Sequence, residues 1–409
     1  MLSYSNIISL FLERNILMSQ HLVVGSVRIS DASYRNTNFR VECDPGPSYL
    51  VKQGVGADKA ATVAHEAAVY GALQAGGDAL GIARYLPLFY GYEREPNTLI
   101  LELLADAETL AERHVRTGKF SVALARQMGR ALAILHSTQP QDNPQLYSVL
   151  GRSIYAGAPH WILSVHRPHL RDFGLASNAN IQTIKIVQRF PEFCALLDSL
   201  KGQWMGTSEG LGTKDEGPVS ISHTPIHCDI KWNNVLVHSQ KHGNDSPPTT
   251  VHRSPSAKLI DWELARVGDP CWDVGSFFGE YLTFWLLSIP VTGQDPPDRF
   301  LDLAGYPLDR MRPAIRAFWV AYTRHRRLSD PGLLDAYLLR SVRYAAARLV
   351  QTAYEQGQPS ALLTGNIVVL LQLAFNILQR PAEAALALLG IPLSVRGTRA
   401  KYNASIANP

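Results

Sequence analysis

The sequence predicts an α+β protein of two lobes, a small β-rich amino-terminal lobe and a larger helical carboxy-terminal lobe, on three observations. The chain has 409 residues, 46% of them hydrophobic, enough for more than one packed lobe. Between residues 21 and 104, short β-rich runs alternate with turn residues around a single helix-forming stretch. Beyond Leu104 the apolar residues recur at the helical spacing instead. The division expected is therefore 1–20 as an extension, 21–104 as the first lobe and 105–409 as the second.

Each element follows from its residues. Ile7 to Leu12 is apolar, but no basic residue precedes it and no small-residue cleavage site follows, so it is no export signal. Met18 is as good a start as Met1, and 1–17 reads as a frayed extension. His21 to Ile29 and Asn36 to Glu42 are β-rich runs around a polar turn, and Asp44-Pro45-Gly46-Pro47-Ser48 punctuates before the short strand Tyr49 to Gln53. From Lys59 to Ala75, Ala64, Ala67, Ala68 and Leu73 fall on one helical face, and Gly76-Gly77 stops the run. Strands near Leu86 to Tyr92 and Thr98 to Leu104 flank Glu95-Pro96-Asn97. In the second lobe, Val122, Leu124, Met128, Leu132 and Leu135 line one face of a helix over Ser121 to His136. Gln139 to Arg171 has no readable period, and 181–203 reads as helical again. Short β-like runs follow at Pro225 to Ile226, Val235 to His238 and Lys258 to Ile260, with a long polar loop from Ser239 to Ser256. Several helices fill 275–390. Ile367 to Leu378, interrupted by Gln372 and Asn376, is too short to span a bilayer and is read as a core helix.

Composition excludes several classes. With 39 basic and 35 acidic side chains, the net charge of +4 is too small and too dispersed for a nucleic-acid binder. The four cysteines, Cys43, Cys194, Cys228 and Cys271, are scattered without a C-x-x-C pair, which argues against a disulfide framework or zinc knuckle and points to a reducing cytoplasm.

The chemistry is carried by His227-Cys228-Asp229-Ile230-Lys231-Trp232-Asn233-Asn234, a His-x-Asp with an Asn five residues after the aspartate. Twenty-seven residues after Asn234 comes Asp261 in Ile260-Asp261-Trp262-Glu263, followed by Gly268-Asp269-Pro270-Cys271-Trp272-Asp273. Together these segments resemble the catalytic and metal-binding loops of the aminoglycoside phosphotransferase and choline kinase family, relatives of the protein kinases. The resemblance extends upstream in the right order: Lys52 on a short strand, Glu66 fourteen residues later on the next helix, Glu102-Leu103-Leu104 at a strand end, and Ala131 to Ser137. It covers about residues 21 to 280 and implies a protein-kinase-like fold with ATP between the lobes.

Within that resemblance, Asp229 accepts or orients an acceptor hydroxyl, and Lys231 neutralises charge on the phosphate in flight. Asn234 and Asp261 offer the hard oxygen ligands that magnesium prefers. Lys52 holds the nucleotide phosphates and Glu66 holds Lys52, while Glu102 and Leu104 belong to the nucleotide site. His227 is a brace, and Asp273 buttresses the catalytic loop. Glu263 is either an auxiliary metal ligand or structural. Phosphoryl transfer asks mainly for positioning and charge neutralisation, which these residue types supply. The cofactors implied are ATP and Mg2+.

Two departures bear on the acceptor. Lys231 stands where many aminoglycoside kinases have histidine and Ser/Thr protein kinases have lysine, and no G-x-G-x-x-G covers the phosphates, leaving Ser30 to Asn36 as the covering turn. The chain also resembles the stand-alone kinase component of lanthipeptide and thioamide-peptide biosynthesis, which implies a precursor-peptide Ser/Thr acceptor and a separate lyase or cyclase partner. Lys231 and the six arginines between Arg310 and Arg327 favour the peptide slightly over a small acceptor such as an aminoglycoside, choline-like compound or sugar. A nucleotide-binding scaffold without activity is the non-enzymatic alternative. Arg171-Asp172-Phe173-Gly174 spells a kinase metal motif but lies before the catalytic loop and follows no strand, so it is read as a decoy. His160, His166 and His169 lack acidic or cysteine company and are read as surface or loop histidines.

Overall fold

A computed structural model describes residues 2–17, 22–23, 25–33, 37–44, 46–76, 81–169, 174, 176–206, 221–238, 255–290 and 301–394. Five antiparallel strands form the amino-terminal sheet in the order β1-β2-β3-β5-β4: β1 (Ser26–Asp31), β2 (Thr37–Asp44), β3 (Tyr49–Gln53), β4 (Phe89–Glu93) and β5 (Thr98–Glu102). Alternation along β3 decides what each face does. Tyr49 and Val51 enter one apolar cluster, while Leu50 packs against the main core and Lys52 points to the same side, toward helix α2 (Ala57–Ala75).

The first residues correct the expectation of a frayed extension. Helix α1 (Tyr4–Glu13) lies on the outer face of the sheet and buries Ile7 and Phe11, one turn apart, against Phe39, Val41, Tyr49, Val51 and Ile100. Ser3 caps it by accepting the Asn6 N–H, and the Phe11 ring meets Tyr49 edge-on at 5.1 Å. Gln53 accepts the Leu2 N–H at 2.9 Å and donates to Pro96 O at 2.9 Å, and Arg14 pairs with Glu93.

The second lobe is helical. It begins with the short strand β6 (Glu108–Thr109) and continues through α3 (Leu110–Thr117), α4 (Val122–Ser137), α5 (Pro144–Gly151), α6 (Asn178–Gln188) and α7 (Pro191–Met205). The stretch 181–203, read as helical, is formed by two helices, because Pro191 cannot continue α6 and opens α7 instead. Strands β7 (Thr224–Ile226), β8 (Val235–His238), β9 (Ser256–Leu259) and β10 (Arg266–Gly268) bracket the motif loops: β8 pairs with β9 and β6, and β7 with β10. Five helices follow, α8 (Pro270–Leu287), α9 (Leu308–His325), α10 (Pro331–Gly357), α11 (Gly365–Gln379) and α12 (Pro381–Ala387). Ile367 and Leu378 are buried on α11, as expected of a core helix. No described helix is long and apolar enough to cross a membrane.

Candidate functional site

The strand-to-loop transitions after β7 and β9 bring the two motifs together. Asp273, in the first turns of α8, accepts the backbone N–H of His227 at 2.7 Å and of Cys228 at 2.9 Å, and lies 3.2 Å from His136 of α4. Those bonds hold Cys228 at a φ of +69°, a conformation an L residue keeps only when its surroundings enforce it. His227 braces the loop as the sequence suggests: its Nδ1 accepts the Asp229 N–H at 3.3 Å, which leaves Nε2 to donate to Ile260 O at 3.0 Å. The N–H of Ile260 in turn donates to Asn234 O at 3.0 Å, so the loop carrying Asp261 is fastened to the loop carrying Asn234.

On the catalytic loop, Lys231 Nζ donates to Asp229 Oδ2 at 2.7 Å, and Asn234 Nδ2 donates to Asp229 Oδ2 and to its backbone oxygen, both at 3.0 Å. Burial works against the charged Asp229, yet Lys231 and the Arg348 guanidinium hold its carboxyl below the usual carboxylate range. Burial likewise works against the Lys231 ammonium, and Asp229 more than offsets it, so Lys231 stays protonated. Asp229 is thus an ionised acceptor that faces its surroundings with two donors already on one oxygen.

Within the first lobe Lys52 Nζ donates to Glu66 Oε2 at 2.6 Å, and across the gap between the lobes it donates to Asp261 Oδ1 at 2.8 Å. Burial pushes Glu66 up to about 7 against the pull of Lys52. The two carboxylates outweigh the burial of Lys52 and raise its ammonium above the ordinary lysine value. Asp261 has a φ of +67°, the second left-handed non-glycine residue of the site.

The donor set fits magnesium. Asn234 spends its Nδ2 hydrogens on Asp229, which leaves Oδ1 as an acceptor, and Asp261 contributes a carboxylate from the neighbouring loop. Magnesium commonly takes one or two protein oxygens and completes its shell with phosphate and water.

Other expected residues fall as follows. Glu102, at the end of β5, accepts the Leu88 N–H at 3.0 Å, and its own N–H donates to Leu88 O at 2.8 Å. Leu104 begins the crossing to the second lobe, and its N–H has no partner among the described residues. Glu263 is buried and lines a cavity of about 300 Å³ with His65 and Ala68 of α2 and Ser153, behind the helix that carries Glu66. Two of the three histidines lie in loops but not at the surface: His160 is buried, stacks on Trp272 at 4.3 Å between ring centroids and accepts the Ile162 N–H, and His166 is buried beside Asp198. His169 is exposed. The Arg310–Arg327 segment is not one free basic face. Arg312 donates to Leu388 O, and Arg326 donates to His136 O and the Tyr337 hydroxyl. Residues 171–173 of the decoy motif, 34–36 of the expected phosphate-covering turn and 239–254 of the polar loop lie outside the described residues.

Sequence reasoning missed Glu280 and Arg348. Glu280 Oε2 accepts the Trp232 N–H at 2.7 Å from below the catalytic loop, and nothing in the local sequence of α8 signals it.

Residues 27–313 match the model of the phosphotransferase enzyme family. No curated protein matches the sequence. Among solved structures, an ethanolamine kinase from Plasmodium vivax aligns with a TM-score of 0.53 at 13% identity, over 92% of this chain and 89% of that one. A choline kinase from Cryptosporidium parvum aligns with a TM-score of 0.49 at 13% identity, over 94% and 97%. A macrolide 2'-phosphotransferase from Brachybacterium faecium gives 0.41 at 15% identity, over 86% and 92%. The first of these likenesses is one of fold.

Proposed function

Because the chain belongs to the phosphotransferase enzyme family, we propose that it moves the γ-phosphate of ATP to the hydroxyl of a small molecule, with Asp229 receiving or orienting that hydroxyl. The observation that carries this reading is the pairing of Asp229 with both Lys231 and Asn234 on a loop fastened to Asp261. An ionised carboxylate so held can align a hydroxyl for in-line attack and take its proton. Lys231, 2.7 Å away, brings positive charge to the oxygen atoms of the phosphoryl group as it crosses. Lys52 would hold the nucleotide phosphates, with Glu66 fixing its direction, and the N–H of Leu104 would meet the base. Asn234 and Asp261 would hold Mg2+, which would neutralise phosphate charge and fix the angle of departure.

A small acceptor is favoured over a peptide. Family membership supports it, and the fold is shared with an ethanolamine kinase. The basic segment that favoured a peptide has two of its arginines engaged in holding helices together. The test is a panel of amino alcohols, aminoglycosides, macrolides and sugars offered with Mg-ATP, beside Ser/Thr peptides, with product read by mass. A gain of one phosphate on a small alcohol is expected. Transfer to peptides alone would reinstate the peptide reading, and ATP binding without transfer to any acceptor would favour an inactive scaffold.

A further inference from the structure

Arg348 of α10 is 4% exposed, and its guanidinium lies between Glu280 of α8 at 3.7 Å and Glu355 of its own helix at 3.4 Å. It reaches that place because α8 and α10 cross at two glycines. A Cβ on Gly275 would stand 2.4 Å from Ser341 O, and one on Gly279 would stand 2.9 Å from Arg348 Cγ. Hydrogen at both positions lets the helices approach until the Arg348 stem lies across the α8 backbone. Glu280, the next residue, then has its two oxygens on different duties. Oε1 faces Arg348, and Oε2 accepts the N–H of Trp232, between Lys231 and Asn234 on the catalytic loop.

Stability does not account for this arrangement. The guanidinium is buried, its contacts with both carboxylates are long, and its Nε has no hydrogen-bond partner among the described residues. Such an ion pair commonly contributes no more to folding than apolar side chains of the same volume. Resting on the reading of Asp229 given above, we propose that Arg348 is a positioning residue for phosphoryl transfer: it aims Glu280 at the catalytic loop and sets a fixed positive charge behind that loop.

The experiment compares Arg348→Met, Arg348→Lys and the double variant Arg348→Met/Glu280→Gln with the wild type, measuring kcat, KM for ATP and thermal midpoint, with Asp229→Asn as a control. The methionine variant should lose kcat by about 10-fold or more while KM for ATP holds, and lysine should recover most of that loss. In the double variant no buried carboxylate is left unpaired and an amide oxygen still faces Trp232, so it should regain the wild-type midpoint while remaining slow. If the double variant recovers kcat together with its midpoint, Arg348 is structural only and the proposal falls. Should the methionine variant not fold, the double variant carries the same comparison. An active Asp229→Asn enzyme would overturn the reading of the site itself. An inactive one beside a double variant of full kcat would overturn the role of Arg348 alone.

Discussion

Lys52 meets one carboxylate on α2 of its own lobe and one across the gap, on the loop after β9, whereas Asp229 sits on a loop whose backbone is tied by Asp273, Glu280 and His227. The first half of the site is held by side-chain ion pairs, and the backbone of the second by hydrogen bonds to buried acceptors. Ion pairs can be exchanged for others when a more highly charged ligand arrives, and Lys52 already occupies an oxygen of Asp261 that a metal would claim. Backbone bonds to buried groups cannot be exchanged without unfolding the loop. On the proposed function, the nucleotide half would re-pair on binding, and the transfer half would be built in advance of it.

The largest effect expected is on transfer. Asp229→Ala should lower turnover by about 10³-fold, the scale of a lost general base, in the presence of any acceptor the enzyme accepts. A variant within about tenfold of wild type would show that the hydroxyl is aligned by something else. Next comes the support of that loop. Asp273→Asn keeps the volume but leaves an amide where two backbone N–H groups need a carboxylate, and a shift of about 1 Å at Asp229 should cost about 100-fold in kcat. Unchanged kcat would mean that His227 and Glu280 hold the loop alone.

The exchangeable half should respond differently. Lys52→Ala and Glu66→Gln should each raise KM for ATP, and the double variant should be less damaged than the two losses added, with a coupling of about 1 to 3 kcal/mol. Strict additivity would separate the pair. The smallest effect on catalysis belongs to the outer face of the sheet: Phe11→Ala should cost about 3 kcal/mol of stability, read in urea, and leave kcat unchanged. A change in kcat at constant stability would tie α1 to the nucleotide half.

What could be read in the sequence follows the same division. Asp229, Lys231, Asn234 and Asp261 belong to short loops whose spacing is itself the constraint, so residue order points to them. Lys52 and Glu66 were legible only through their order relative to those loops, since alone each is an ordinary charge on a strand or a helix. Glu280 and Arg348 lie on long helices, and what brings them to the loop is the crossing at Gly275 and Gly279, a contact between elements that no local pattern encodes. Helix α1 escaped for a related reason: Ile7 and Phe11 form a weak amphipathic face by themselves, and the sheet residues that cover them are supplied by β2, β3 and β5. His160 escaped because its partner, Trp272, comes from α8, far along the chain.

The division of labour between the halves is tested most directly by calorimetric titration of ATP into Asp229→Ala and Asp261→Ala, with and without Mg2+. The account predicts that Asp229→Ala binds Mg-ATP within about threefold of wild type. Asp261→Ala should lose about tenfold or more in affinity, and only when magnesium is present. Equal loss in both variants, or a loss at Asp261 that does not depend on magnesium, would contradict the assignment of one aspartate to transfer and the other to the metal.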